Sequence, residues 1–550
     1  MIDMSISNLV KLLKDVFLNP RTDHDIIDIF IIGGGINGCG IARDAAGRGL
    51  IVELAEMNDL ASATSSASTK LFHGGLRYLE YWELRLVREA LLERETLLRA
   101  MPHISWPMRF ILPYHKDMRF ESDTPTSKLL SILMPWMKGR RPAWLIRFGL
   151  LLYDNLGGRQ ILNGTTALKL SGTPEGEPLY DHFEKAYEYS DCWIEDSRLV
   201  VLNARDAEAR GARINVRTKV ISAKQVDGIW HITLQDSQNH DCRIVRAKLL
   251  VNAGGPWVED IIRKTVRINT HEGVRLVRGS HIITHKLYNH DKCYFFQGED
   301  GRIAFTIPYE TDFTLIGTTD VDHNDLNIKP ICTPEEQNYL IEFVSKYLKV
   351  QITNKDILST YSGVRPLYND GASTAAAATR DYVLKMDTST GAPLLNIFGG
   401  KITTYRKLAE TALEKIATVF PEAAKPWTAG AALPGGDFPV DGVVEITQKL
   451  ISNYKFLTTP WATRLIKAYG TEAFKLLGDA KTKEDLGQSF GATLTAQEVI
   501  WLVEKEYART AEDIIWRRSK LGLKLTPPEI TFLDKWMECE FAAVASGTII

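Results

Sequence analysis

Strand and helix signals alternate through most of this 550-residue chain and give way to helical windows near its end. That pattern makes it an α/β (α+β) protein: a Rossmann-like dinucleotide-binding unit, an antiparallel sheet and a C-terminal α-helical domain. Four stretches carry the expectation. Residues 28–56 read as strand, glycine-rich turn, helix and strand. Residues 214–252 and 276–321 read as strands joined by turns. After ALPGGDFP (432–439), Thr-x-x-acid helix starts recur at Thr495/Glu498, Thr510/Asp513 and Thr526/Glu529.

Composition narrows the class. Hydrophobic residues make up 45% and charged residues 24%, which excludes a mainly disordered chain. Lys and Arg number 66 against 68 Asp and Glu, a net charge of −2, so a general nucleic-acid binder is not expected. Six cysteines, at 39, 192, 242, 293, 332 and 539, form no CxxC pair. Neither a metal site nor a disulfide framework is expected, and each cysteine reads as a small buried side chain in a reducing compartment. There is no apolar run of 18 residues, so no spanning helix is expected. Asp3, Lys11, Lys14 and Asp15 interrupt the first stretch, which does not read as a secretory signal.

Along the chain, NLVKLLKDVFL (8–18) has the spacing of an amphipathic helix, ended by Asn19-Pro20. It suits packing on its own protein, or a membrane surface or partner. DIFII (28–32) is short and β-branched, as a buried parallel strand requires. Gly33-x-Gly35-x-x-Gly38 follows. The first glycine permits the tight turn, the second lets backbone approach a pyrophosphate, and the third lets helix and strand pack closely. Glu56 ends the next strand, 18 residues past Gly38, where a carboxylate meets a ribose hydroxyl. Glu53 lies too early in that strand to do so. The loop ATSSASTKLFHGGLRYLE (63–80) is dense in hydroxyls and basic groups, suited to wrapping a permanently held cofactor. Residues 83–100 form a charged, Leu-rich helix. Between 116 and 156, apolar residues and Trp136 and Trp144 interleave with Lys138, Arg140, Arg141 and Arg147. An interfacial segment and a core helix with a basic edge both fit. Thr333 and Glu336 spell a capping box, and residues 394–408 again pass from strand through Gly-Gly into helix.

Four motifs, GGGINGCGIARDAAGRG, TSSASTKLFHGGLRYLE, SGVRPL (362–367) and FGGKITTYRKLAE (398–410), resemble those of the FAD-dependent, quinone-linked glycerol-3-phosphate dehydrogenases. The likeness runs from about residue 26 to about 525. It implies a fold of the D-amino-acid-oxidase type, with a discontinuous FAD domain from 24–100, 190–275 and 355–430. Residues 101–189 and 276–354 would form the substrate domain, 431–550 the helical domain, and 1–23 an appendage. It implies FAD held by Gly33, Gly35, Gly38, Glu56, Thr64, Ser65, Ser68, Lys70, Gly74, Val220, Ala253, Gly254, Gly399, Gly400, Lys401 and Thr403. Arg77, Arg365, Arg380 and Lys401, with Tyr78, become the site for the phosphate of sn-glycerol 3-phosphate. Arginine forks and a lysine point charge suit a dianion.

The implied reaction moves a hydride from C2 to flavin N5 and gives dihydroxyacetone phosphate. His73 and His281 are candidates for the proton acceptor, and Arg365 for holding the developing alkoxide. Electrons would pass to a membrane quinone from a monotopic seat on the cytoplasmic face of a bacterial inner membrane, and a homodimer is expected. An oxygen-using oxidase, a D-amino-acid-oxidase-like enzyme for another substrate, and a flavin-containing scaffold without turnover stay open. WRRSK (516–520) reads as a solvated basic face or a partner contact.

Overall fold

The structure is a computed structural model that describes residues 26–115, 118, 124–133, 142–298, 302–369, 381–389 and 391–545. The expected appendage 1–23, Arg380, Trp136, Lys138, Arg140, Arg141 and half of the 117–138 stretch lie outside the described residues.

The first sheet runs Val383–Asp387, Leu394–Phe398, Cys242–Asn252, Ile26–Ile32, Val52–Ala55, Arg213–Asn215. All but the first strand are parallel. Ile29–Ile32 and Val52–Ala55 are buried on both faces, as parallel strands between helical layers must be. Thr218–Val226 and Ile229–Asp236 form an antiparallel meander that runs into Cys242–Asn252. Register fixes what comes next. Ile32 pairs with both Ala55 and Asn252, and Asn252 pairs with Asn396. The strands therefore end together, and the segments beginning Gly33, Glu56, Ala253 and Gly399 leave the sheet along one edge.

The second sheet has ten strands and is almost wholly antiparallel. Its longest ladder joins Val274–His285 to Ile357–Tyr368. Lys185–Ile194 and Ile357–Tyr368 belong to this sheet, although the expected boundaries assign half of the first strand and all of the second to the flavin domain. Their backbone groups bond to Ser105–Tyr114 and Val274–His285, so hydrogen bonding rather than chain order places them.

The C-terminal helices close around their own core, including Trp461, Leu465, Phe490, Leu502 and Ile514. Two expectations change here. Thr495 makes no side-chain cap, and the Glu498 carboxylate, which would complete the box, accepts from Arg464 (2.7 Å) and Tyr469 (2.7 Å) instead. Arg517 and Arg518 are not a solvated face. Arg518 is 0% exposed and pairs with Asp59 of the first domain. Cys242 and Cys539 are exposed, unlike the buried setting expected for every cysteine, since they fall on surface positions. The Thr333/Glu336 and Thr510/Asp513 boxes do form. Arg198–Glu506 and Arg205–Glu472 add further cross-domain pairs.

His103 sits at this junction, fully buried, 6.3 Å from the Phe438 ring centroid. Both its ring nitrogens lack a hydrogen-bond partner among the described residues. Burial, then the Arg198 and Arg205 charges, push its pKa from 6.5 down to about 3. As pH falls through that window only the unfolded chain takes up the proton, so stability is lost. His103→Phe removes the orphaned nitrogens and the titration. Its melting temperature should exceed that of the wild type. The stability gap should widen by roughly 2 kcal/mol between about pH 7.5 and about pH 5. A gap independent of pH in thermal melts would refute the assignment.

Candidate active site

The site begins where the first strand ends. Gly33 has φ +111°, and a Cβ there would lie 2.5 Å from the Ala253 carbonyl oxygen. A Cβ at Gly38 would lie 2.0 Å from the Gly33 carbonyl oxygen. Only glycine permits this three-way approach of turn, helix and neighbouring strand. Gly35 stands at the N-terminus of the Ile36–Gly47 helix, where free N–H groups and the dipole favour a phosphate. Ser65 Oγ lies in the same place and accepts the Ile36 N–H at 3.0 Å.

Glu56 faces this turn. Its Oε2 accepts the Gly34 N–H at 2.7 Å and its Oε1 the Asn58 N–H at 2.9 Å. Burial raises its pKa, those N–H groups offset part of the rise, and the Asp59 charge adds to it. Glu53 points elsewhere, to Arg243 and Asn215. The other strand ends close in. Ala253 N–H donates to Ile32 O at 2.9 Å, and Gly254 N–H to Asn252 Oδ1 at 3.3 Å. The Gly399 carbonyl accepts from Asn37 Nδ2 at 3.1 Å, and Gly400, at φ +99°, lies beside the same side chain. Val220 is buried in the meander beneath, in the cluster that contains Ile32 and Ala55. A glycine cradle, a helix N-terminus and a carboxylate at the next strand end fit a dinucleotide cofactor.

The 63–80 loop divides its labour. Thr64 Oγ1 donates to the Val364 carbonyl at 2.6 Å and ties the loop to the second sheet. The Ser68 and Lys70 side chains turn to Asp196 instead of the cradle. Lys70 Nζ is 2.7 Å from Asp196 Oδ1 and Ser68 Oγ 2.7 Å from its Oδ2. A fully buried carboxylate needs those donors, and the two side chains supply them.

Gly74 is held from behind. Its N–H donates to Tyr153 Oη at 2.7 Å, and that hydroxyl donates to Asp191 Oδ1 at 2.8 Å. Arg94 completes the group, 2.5 Å from Asp191. Burial pushes the Asp191 carboxyl up to about 6, against the pull of Arg94 and Tyr153. Tyr153, Asp191, Arg94, Asp196 and Tyr361 were not foreseen. The one sequence signal was Asp191 itself, a carboxylate inside the apolar run YSDCWI.

Of the expected cations, Lys401 follows the Gly399 turn in chain, and Arg365 precedes Pro366, whose carbonyl lies against that turn. Lys401 Nζ lies 3.7 Å from the centroid of the Tyr78 ring. Arg365 is paired with Asp320 and donates from Nη2 to Thr318 Oγ1 at 3.1 Å. Pro366 O, next along, lies near the Gly399 Cα, where a Cβ would stand 3.6 Å from it. Arg77, adjacent to Tyr78, borders an apolar cavity of about 330 Å³. Thr403 is buried and joins the turn to His73, whose N–H donates to its Oγ1 at 3.3 Å. Burial, then Lys401 and Arg94, push the His73 pKa to about 3. His281 stacks on Tyr361 with centroids 4.6 Å apart, and its Nε2 is 3.0 Å from Thr69 Oγ1. Burial, then Arg365 and Lys70, hold its pKa well below the usual value. Both imidazoles are neutral near pH 7.

Comparison with known proteins agrees with this geometry. Residues 28–406 match the FAD dependent oxidoreductase family model, and residues 427–533 match the C-terminal domain of alpha-glycerophosphate oxidase. The chain is 46% identical over 521 residues to D-erythritol 1-phosphate dehydrogenase of Brucella abortus, covering 94% of this chain and 98% of that one. It is 45% identical over 517 residues to glycerol-3-phosphate dehydrogenase of Pseudomonas aeruginosa, covering 94% and 96%. Its fold is like that of the glycerol-3-phosphate dehydrogenase from Bacillus halodurans solved with FAD, at 24% identity, TM-score 0.68 and 97% coverage of each chain.

The cradle makes a direct prediction. Gly38→Ala drives a methyl group into the Gly33 carbonyl, so the purified variant should lose most of its flavin absorbance. Full flavin content in that variant would refute the placement of the dinucleotide.

Proposed function

The chain belongs to the FAD-dependent oxidoreductase family that includes the glycerol-3-phosphate dehydrogenases, and from that premise we propose that it oxidises sn-glycerol 3-phosphate to dihydroxyacetone phosphate and passes the electrons to a membrane quinone. The observation that supports the substrate class is the pair of cations, Arg365 and Lys401, whose segments meet at the Gly399 turn. Arg365 is oriented by Asp320 and Thr318, and Lys401 stands over Tyr78 with Arg77 next in chain. A phosphate monoester offers near two negative charges and three acceptor oxygens, which matches this set better than a single carboxylate does. Bound FAD supplies the hydride acceptor. The chain's part is to hold the phosphate, orient C2 and take the hydroxyl proton. His73 and His281 are the candidates by residue type for taking that proton, although burial lowers the affinity of both for it, and Arg365 can hold the alkoxide as charge develops.

The Brucella relative's name gives a second reading, D-erythritol 1-phosphate. It has the same phosphate and one more carbon, so the anion site does not separate the two. Anaerobic bleaching of the flavin by each compound, compared as the second-order rate constant for flavin reduction, decides. The compound that reduces the flavin with the higher rate constant is the substrate, and bleaching by neither would sink both readings.

The acceptor reading rests on a second feature. Trp144, Phe148 and Leu151 are 55%, 51% and 56% exposed and share one face of the Ala143–Leu156 helix, by their i, i+4, i+7 spacing. Trp82 is exposed as well and, with Phe148, borders the apolar cavity that Arg77 also lines. Among the described residues no helix is long and apolar enough to cross a membrane. An apolar face with a cavity leading inward suits a protein that lies on a bilayer and draws a quinone from it.

Two outcomes follow. Arg365→Ala should raise KM and lower kcat, by about tenfold or more in kcat/KM, at unchanged flavin content. An unchanged kcat/KM would refute its role. Replacing Trp144, Phe148 and Leu151 together by Ser should reduce liposome flotation and quinone reduction while anaerobic flavin bleaching persists. Equal flotation would remove this face from the membrane reading, and hydrogen peroxide release matching turnover would favour an oxidase.

A further inference from the structure

The WRRSK segment has no part in the reaction described above, yet it reaches the cofactor cradle. Asp59 lies three residues beyond Glu56, in the loop that folds over the glycine turn. Ala61 N–H donates to the Gly34 carbonyl at 3.2 Å, and a Cβ at Gly34 would meet Leu60 at 2.9 Å. The loop thus holds Glu56 against Gly34.

Asp59 is 2% exposed, and its carboxylate is filled by the C-terminal domain alone among the described side chains. Arg518 grips it with two nitrogens, Nη1 to Oδ2 at 2.6 Å and Nη2 to Oδ1 at 2.7 Å. Arg517 Nε adds a third contact at 2.6 Å. The remaining Arg518 N–H groups are anchored on the Glu506 carbonyl, from Nε at 2.9 Å and from Nη2. Arg517 also pairs with Asp513, which takes Arg217 at 2.7 Å. The Arg217 backbone N–H returns to the same loop, at the Asn58 carbonyl, 2.8 Å away. The loop is therefore held from two sides by one connected group of charges. Bidentate guanidinium contacts fix geometry as well as charge. An unpaired carboxylate at this depth would leave for water and carry the loop with it.

We infer that the Arg517–Arg518 pair is the clamp that retains the cofactor: by neutralising Asp59 it keeps the 56–61 loop shut on Gly34, so that FAD retention depends on docking of the C-terminal domain. These arginines are positioning residues that act through Glu56 and the glycine turn. The inference rests on the flavin assignment.

The test uses the full-length holoenzyme and FAD itself as probe, with the dissociation constant read from flavin fluorescence on release. Arg518→Met should weaken FAD binding at least tenfold. Saturating FAD should restore kcat, and the KM for the phosphorylated polyol should stay within twofold of the wild type. Combining Asp59→Asn with Arg518→Met removes both charges and should recover part of the retention. An Arg518→Met enzyme that melts earlier yet binds FAD as tightly as the wild type would overturn the clamp and reduce the pair to a domain contact. If Arg518→Met does not fold, Arg517→Met reads the same quantity with the Arg518–Asp59 pair intact. An unchanged dissociation constant there overturns the proposal, and a threefold or larger weakening supports it. Wild-type enzyme without bound FAD would sink the flavin assignment and the clamp together, whereas tight binding by both wild type and variants sinks the clamp alone.

Discussion

The close approach of Gly33, Gly38 and Ala253 governs the rest of the molecule. A carbonyl stands where each missing Cβ would be, so the turn, the Ile36–Gly47 helix and the Cys242–Asn252 strand come nearer than any side chain allows. That approach brings the strand ends into one line and leaves a helix N-terminus facing an open edge. Each further part of the site is then measured from it. Glu56 turns back to Gly34, Asn37 holds the Gly399 turn, and Lys401 and Thr403 follow from that turn. The two sheets meet there because Thr64 and Pro366 reach the same edge.

Buried charge does the secondary work. A net charge of −2 conceals several buried carboxylates, each with its own cation. Asp196 gathers Ser68 and Lys70, Asp191 gathers Arg94 and Tyr153, and Asp59 gathers Arg517 and Arg518. Each anchors a loop whose backbone must stay fixed beside the cradle. Such pairs are poor sources of net stability, since desolvation offsets most of the attraction, but breaking one is costly. They therefore specify loop position more than they stabilise the fold. The Ala143–Leu156 helix shows the same economy: Tyr153 faces inward to Gly74, while Trp144 and Phe148 face outward.

Local patterns were legible where chemistry and spacing are local. The strand–turn–helix–strand opening, the Thr333 and Thr510 boxes and the helical C-terminal domain all depend on neighbours in sequence. Elsewhere the same reading failed for one reason: a side chain with two possible partners takes the one that burial favours. Glu498 follows Thr495 at capping distance but answers Arg464 and Tyr469 across the domain. Arg517 and Arg518 look solvated until Asp59, about 460 residues earlier, is placed against them.

The sequence by itself determined the chemistry available: a glycine cradle with a carboxylate at the next strand end, several cations, two histidines and an apolar segment with tryptophan. These follow from residue type and short spacing, which the covalent chain preserves. Tertiary structure decided which of those groups face the cradle and which hold it in place. It assigned Ile357–Tyr368 to the second sheet, left the His73 and His281 rings uncharged, and closed the Glu56 loop with arginines from the far end of the chain. Burial and long-range pairing set those outcomes, and both depend on distances that exist only after the chain has folded.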